Sequence, residues 1–171
     1  MSSSRKTLLI VWHSRTGAAR QMAEAAENGA RKVRATLEAH DQLAILSKTA
    51  GQTSAEDLLD ADGYLFCAPE NLAALSGEMK EFFDRNYYAV LNQLNGRPYA
   101  LLVSAGTDGE QAVRQAERIA QGWRLNRVLP SQIINTAAQT PEAILAPKQI
   151  GTQDQETCQE SGATLAGLLL L

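Results

Sequence analysis

Three apolar runs, at residues 7–12, 63–68 and 98–104, punctuate the chain. Each is nearly continuous rather than alternating, the pattern of a strand covered on both faces in a parallel sheet. Weaker runs at Leu43-Ala44-Ile45-Leu46 and Gln132-Ile133-Ile134-Asn135 bring the expected count to five strands. Between them the period turns helical. Ala19, Met22, Ala23, Ala26, Ala30, Val33 and Leu37 recur at three- and four-residue steps, while Arg20, Glu24, Glu27, Arg31 and Arg34 fall elsewhere on the wheel. Ser54 stands three positions before Asp57, a loose capping signature for a short helix carrying Leu58 and Leu59. A third helix, from about Ser76 to Leu94, spaces Met79, Phe82, Phe83 and Tyr87 for burial. A fourth, from about Gly109, groups Val113, Ala116, Ile119, Ala120 and Trp123. The last begins near Thr152 and ends in the leucines at 168–171. Residues 137–151, with Pro141 and Pro147, read as a long loop. Strands alternating with helices predict a parallel α/β sheet with helices on both faces, whose ligands sit beyond the carboxyl ends of the strands. At 171 residues, one domain spanning 1–171 is expected.

Charge and cysteine content narrow the partners. Sixteen basic residues interleave with 19 acidic ones for a net charge of -3, which leaves no electrostatic footprint for nucleic acid. Cys67 and Cys158 stand in unrelated contexts, without the spacing of a disulfide framework or a metal site, so no metal is expected. A reducing, cytoplasmic setting follows as the expectation. The apolar run behind Met1-Ser2-Ser3-Ser4-Arg5-Lys6 is too short for a signal-peptide core, and Gln159-Glu160-Ser161 interrupts the approach to the final leucines, so no membrane span is expected.

The chemistry concentrates in the loops that follow the strands. After the first comes His13-Ser14-Arg15-Thr16-Gly17-Ala18-Ala19-Arg20, opening a long helix. A helix N-terminus aims unpaired N–H groups and a dipole at one spot, and Ser14 and Thr16 add hydroxyls while Gly17 permits close backbone approach. Such a spot suits a phosphate, to which Arg15 and Arg20 add charge. The plainer reading is a helix capped by Ser14 or Thr16. Neither a Walker loop nor GxGxxG is present. After the third strand, Pro69-Glu70-Asn71-Leu72-Ala73 leads to Ser76, placed to cap the next helix; Pro69 is expected to stop the strand. After the fourth comes Ser104-Ala105-Gly106-Thr107-Asp108-Gly109, whose two glycines let backbone N–H groups face a planar ligand.

These three segments resemble the flavodoxin-like FMN proteins, in particular their NAD(P)H-dependent FMN reductase and quinone reductase branch. The resemblance runs from Leu8 to about Val128 and is sharpest at Ser14-Arg15-Thr16-Gly17, at Pro69-Glu70-Asn71 with Ser76 to Arg85, and at Ser104 to Gly109. It implies a flavodoxin-like three-layer sandwich with a five-stranded parallel sheet. It further implies that Ser14, Arg15, Thr16, Gly17, Ala18 and Ala19 hold the FMN phosphate, and that Pro69, Glu70, Asn71, Leu72 and Ala73 face Ser104, Gly106, Asp108 and Gly109 across the flavin ring. NAD(P)H would deliver electrons through FMN to a quinone or similar acceptor, and a symmetric dimer is expected because Tyr87, Tyr88 and Leu91 give the third helix more apolar surface than one sheet face covers. No side chain is singled out as catalytic, because the flavin does the chemistry.

The chain departs from the family where Ala19 replaces a hydroxyl residue and where Leu72 and Ala73 replace an aromatic residue and a glycine. A non-enzymatic electron carrier or a flavin-poor binding protein is therefore the alternative, although carriers of this type have a strongly acidic surface and this chain is nearly balanced. His13 and Cys67 border the site. For both the plain reading is preferred: a polar strand-end residue without a visible carboxylate partner, and a small buried hydrophobe. The Glu78-Lys80-Glu81-Asp84-Arg85 series reads as a solvated helix face. Strand ends without acidic residues exclude a phosphorelay receiver, and a first loop without cysteine excludes a low-molecular-weight phosphatase.

Overall fold

A computed structural model describes residues 5–171; Met1 to Ser4, part of the start considered above, lie outside the described residues. The order is β1 (Lys6–Trp12), α1 (Ala18–Thr36), β2 (Leu43–Thr49), a 3-10 turn (Ala50–Gln52), α2 (Ala55–Asp60), β3 (Gly63–Asn71), β4 (Ala74–Leu75) and α3 (Gly77–Val90). Then follow β5 (Pro98–Ala105), α4 (Glu110–Gly122), β6 (Asn126–Arg127), β7 (Gln132–Asn135), α5 (Pro141–Leu145) and α6 (Thr152–Leu170). The sheet runs β2-β1-β3-β5, and β6 and β7 share the place beyond β5. All these pairings are parallel, the flavodoxin-like arrangement. From β1 the chain winds first to β2 and then back across to β3, so the loops after β1 and β3 diverge at a switch point, where such sheets open a crevice.

Alternation along the strands builds two cores. Leu9 and Val11 join Tyr64, Phe66, Leu101 and Val103 under α3 and α4, while Leu8 and Ile10 join Leu65, Cys67 and Leu102 under α1 and α6. Phe66 anchors the first, its ring 5.1 Å from Phe83 and 6.5 Å from Trp123, in the edge-on geometry aromatic pairs prefer. The second is built from small residues: Ala19, Ala23, Ala26 and Ala30 let α6 lie close against α1.

Four expectations are corrected. Pro69 does not stop its strand, because β3 continues to Asn71 and pairs Pro69 with Ser104. The ladder with β1 ends at Cys67, so the missing proline N–H falls beyond that neighbour. The chain then folds back through Leu72 and Ala73 into β4, an unforeseen antiparallel partner that sets Glu70 opposite Leu75 and Asn71 opposite Ala74. The third helix stops at Val90 rather than near Leu94 because Asn92 turns left-handed at φ 59°, and Tyr87 is 40 % exposed rather than buried. The segment 137–151 is not all loop, since Thr140 caps the short α5 through the Ala143 N–H.

Candidate functional site

The first loop leaves β1 with His13 N–H bonded to the Cys67 carbonyl and enters α1 through Gly17. Gly17 takes φ 103°, a conformation a side chain would strain. Neither Ser14 nor Thr16 caps the helix, as the plainer reading of the sequence would have it; the N-cap is Gly17. Instead Ser14 Oγ accepts from Gly17 N–H at 3.1 Å, which folds the loop into a tight nest and leaves the Ser14 hydroxyl proton to donate elsewhere. The N–H groups of Thr16, Ala18, Ala19 and Arg20 have no acceptor among the described residues. They gather at the positive end of a 19-residue helix. The Ala18 and Ala19 methyls face the core, so at these positions only backbone serves a ligand. Arg20 pairs with Glu24 at 2.8 Å.

Gln21 locks this loop from behind. Its Nε2 donates to the carbonyls of Gly17 at 3.0 Å and Lys148 at 2.7 Å, its Oε1 accepts from Ile150 N–H, and Lys148 N–H donates to the Thr16 carbonyl. The segment leading into α6 therefore braces the nest. Gln21 had no sequence signal, because its partners stand 127 and 129 residues away.

Arg15 leaves the nest. Its guanidinium grips Glu78 at the start of α3 with two bonds of 2.9 and 3.0 Å, and its Nε donates to the Asn71 side-chain oxygen once that amide is oriented to give its own N–H to the Glu70 carbonyl. First and second loops are thus bridged over the end of β1. Beneath the bridge His13 Nδ1 meets Ser76 Oγ at 2.8 Å, and Nε2 stands 3.6 Å from Glu78 Oε2, the carboxylate partner that was not visible in the sequence. Burial, reinforced by Arg15 and opposed by Glu78, holds the His13 imidazole below its usual range. Glu78 sits below the ordinary carboxylate range through its own backbone N–H, His13 and Arg15. Ser76 precedes α3 as expected but spends its hydroxyl on His13 and makes no side-chain cap.

The second and third loops meet at Glu70. Its Oε2 is enclosed without a hydrogen-bond partner and lies close to Gly109, which turns into α4 at φ 73°. Burial first, then the neighbouring Asp108 carboxylate, push the Glu70 carboxyl above the usual carboxylate range, against the Gly109 N–H. Asp108 Oδ1 itself accepts from Glu110 N–H at 2.9 Å, Ser104 is buried at the end of β5, and Gly106 backs onto the Ala138 carbonyl. At the tip of the β3–β4 hairpin Leu72 and Ala73 both take positive φ, 52° and 62°, and Leu72 is fully exposed. Asn-Gly is the preferred pair for such a turn, so Leu-Ala is held there under strain. Cys67, as read from sequence, is an inert core residue: its Sγ donates to the Ala19 carbonyl and burial raises its thiol.

The donor set fits a phosphate-bearing flavin: unpaired N–H groups at a helix start, and two loops beside them carrying backbone turns and one enclosed carboxyl. The sequence matches the family described as NADPH-dependent FMN reductase over residues 13–139. It is 29% identical to a flavodoxin of Aquifex aeolicus over 99 residues, 58% of this chain and 50% of that one. It is 33% identical to an NAD(P)H dehydrogenase (quinone) of Acidithiobacillus ferrooxidans over 91 residues, 46% of each. The matches thus span about half the length of these relatives. A flavodoxin structure from the domain Archaea superposes with a TM-score of 0.76 at 18% identity, covering 96% of this chain and 99% of that one, which supports the fold. No helix among the described residues is long and apolar enough to cross a membrane. On the match across 13–139, which contains all three loops, the chain belongs to the NADPH-dependent FMN reductase family, whose cofactor is FMN.

Proposed function

We propose that the chain is an NAD(P)H-dependent oxidoreductase that holds FMN in the three loops and passes electrons to a quinone or similar small acceptor. The observation carrying this reading is the cluster of N–H groups of Thr16, Ala18, Ala19 and Arg20 without acceptors among the described residues, set at the switch point beside the Glu70 and Asp108 loops. These N–H groups and the Ser14 and Thr16 hydroxyls bind the phosphate. Pro69 to Ala73 and Ser104 to Gly109 flank the ring. The redox chemistry, hydride transfer from the nicotinamide and electron transfer to the acceptor, would be supplied by FMN bound in these loops. Glu70, whose carboxyl burial and then Asp108 push above the ordinary carboxylate range, stands between the two ring loops. The small Ala73 and Ala74 leave one side of the mouth open to substrate. Tyr88 is 83 % exposed beside Tyr87 and Leu91, and a second copy packed on that face would help wall the site.

The test is anaerobic. Protein loaded with FMN is mixed with NADH or NADPH, and then with a quinone. Bleaching of the visible flavin band, followed by its return, is expected. Bound flavin that neither nucleotide bleaches would make the chain an electron carrier, and protein that takes up no flavin would make it a flavin-poor binding member. Sedimentation at micromolar concentration checks the dimer, and a monomer of 18.5 kDa that still reduces quinone would remove the second copy.

A further inference from the structure

The Gly17 carbonyl accepts twice from Gln21, from its backbone N–H at 3.2 Å and from Nε2 at 3.0 Å. The first is the ordinary bond of a helix start; the second is not. Nε2 gives its other proton to the Lys148 carbonyl at 2.7 Å, and Oε1 accepts from Ile150 N–H at 3.2 Å. Both donors and the acceptor of this amide are therefore used, all on backbone. Beside it Lys148 N–H donates to the Thr16 carbonyl at 2.7 Å, so residues 148–150 are bonded to the loop after β1 both directly and through Gln21.

A trans peptide points its carbonyl and its N–H in opposite directions. Holding the Thr16 carbonyl toward Lys148 aims the Gly17 N–H the other way, at Ser14 Oγ, where it is found at 3.1 Å. Holding the Gly17 carbonyl toward Gln21 aims the Ala18 N–H in the same manner, and that N–H has no acceptor among the described residues. Gly17 makes such control necessary. At φ 103° it has no side chain to restrain it, so the bonds on either side fix the two peptide planes. Gln21 stands on the carbonyl side of these planes, opposite the N–H groups, and acts on a ligand only through the backbone it holds.

The segment that carries Lys148 and Ile150 is itself tied down. Thr136 N–H donates to the Ala105 carbonyl at 2.8 Å, at the end of β5, and a Cβ on Gly106 would fall 2.7 Å from the Ala138 carbonyl oxygen. Thr140 caps α5, and Lys148 Nζ closes its other end on the carbonyls of Ala143, Ile144 and Ala146 at 2.6, 3.0 and 2.6 Å. Residues 136–150 thus run from the third site loop to the first, and residues 140–150 lie beyond the stretch 13–139 that matches the family. Gln21 is the side chain by which the first loop holds this segment.

We infer that Gln21 is a positioning residue for the phosphate of FMN, aiming the Ala18 N–H by fastening the Gly17 peptide to residues 148–150. The inference rests on the placement of the FMN phosphate in this loop. By linkage, a brace that strengthens phosphate binding is itself steadied by bound phosphate, and the bonds steadied are those of the Lys148 and Ile150 N–H groups.

FMN is titrated by flavin fluorescence into wild type and Gln21→Met, which keeps the length of the side chain without its amide; phosphorus NMR and visible spectra are then taken at saturation. The variant should bind FMN at least about tenfold more weakly, with a shifted phosphate resonance and visible bands in their wild-type positions, because the ring lies against the other two loops. Affinity within about twofold of wild type overturns the inference. A loss of affinity with an unmoved phosphate resonance also overturns it, since the fold would then have loosened in general. Amide hydrogen exchange on wild type decides even where the variant misfolds: FMN should slow exchange at Lys148 and Ile150 at least about fivefold, and exchange indifferent to FMN overturns the inference. Wild type that takes up no FMN refutes the flavin site and the inference with it. FMN bound with this Gln21 dependence but reduced by neither nicotinamide refutes the reductase reading and leaves the inference standing.

Discussion

Arg15 and Glu78 join the first two site loops through a forked pair, with Arg15 Nη2 2.9 and 3.0 Å from the two carboxylate oxygens. Arg15, although it belongs to the loop after β1, is therefore turned toward α3. Both side chains are about half exposed, so the pair adds little to stability. Glu78→Gln should leave urea stability within about 0.5 kcal/mol of wild type and tighten FMN several-fold, because it frees Arg15 toward a dianion. The same substitution removes the charge that raises the His13 pKa, so the His13 ring, followed by proton NMR, should titrate still lower. An upward shift would show that Glu78 does not act on His13.

Relieving the hairpin tip should stabilise the fold. Leu72 and Ala73 occupy left-handed backbone at the two central positions of the β3–β4 turn. Ala73→Gly removes a strain of about 1 kcal/mol, offset in part by the greater freedom of glycine when unfolded. Leu72→Asn with Ala73→Gly should gain more, reaching about 1 kcal/mol by chemical denaturation. A loss of stability in both variants would contradict the turn geometry.

Glu70 makes stability depend on pH with a defined sign. Its folded pKa is raised above the ordinary carboxylate value of 4.5, so the folded state binds protons more tightly than the unfolded chain. Its contribution is fully present below the unfolded pKa and is lost as pH rises through the folded pKa. Glu70→Gln keeps the shape without the charge, and should stabilise the protein at neutral pH while matching wild type in acid. Parallel stability curves for the two proteins across that window would remove the enclosed carboxyl from the account.

Two glycines set the distance between α1 and α6. A Cβ on Gly162 would fall 1.9 Å from the Ala26 carbonyl oxygen, and one on Gly29 would fall 1.9 Å from that of Gln159. Backbone cannot yield as a flexible side chain can, so Gly162→Ala should cost roughly 2 kcal/mol or more by forcing the helices apart. A thermal midpoint equal to that of wild type would show that the helices are not in contact there.

The sheet was legible because buried parallel strands leave continuous apolar runs, and β1, β3 and β5 fall close to the three runs. β4 and β6 were missed: two residues each give no period, and both exist only through a neighbouring strand. In the site, the order of loops could be read from the chain, but the direction of side chains could not. His13, Ser76 and Glu78 are joined by a fold-back more than sixty residues long, and the plain reading of Glu78 as a solvated charge followed from local spacing alone. Lys80–Asp84 and Glu81–Arg85 do obey that spacing. Gln21 and Glu70 act through partners that periodicity cannot reveal.

FMN titration of wild type against Thr16→Ala/Gly17→Val tests the central claim most directly. Gly17 alone permits the φ of 103° that folds the nest, and valine there displaces the donors from Thr16 to Arg20 without entering the core. With flavin fluorescence as the readout and circular dichroism to confirm the fold, wild type should bind one FMN per chain and the folded double variant none. Equal affinity in the two proteins would contradict the account, because FMN would then be held somewhere other than the loop after β1.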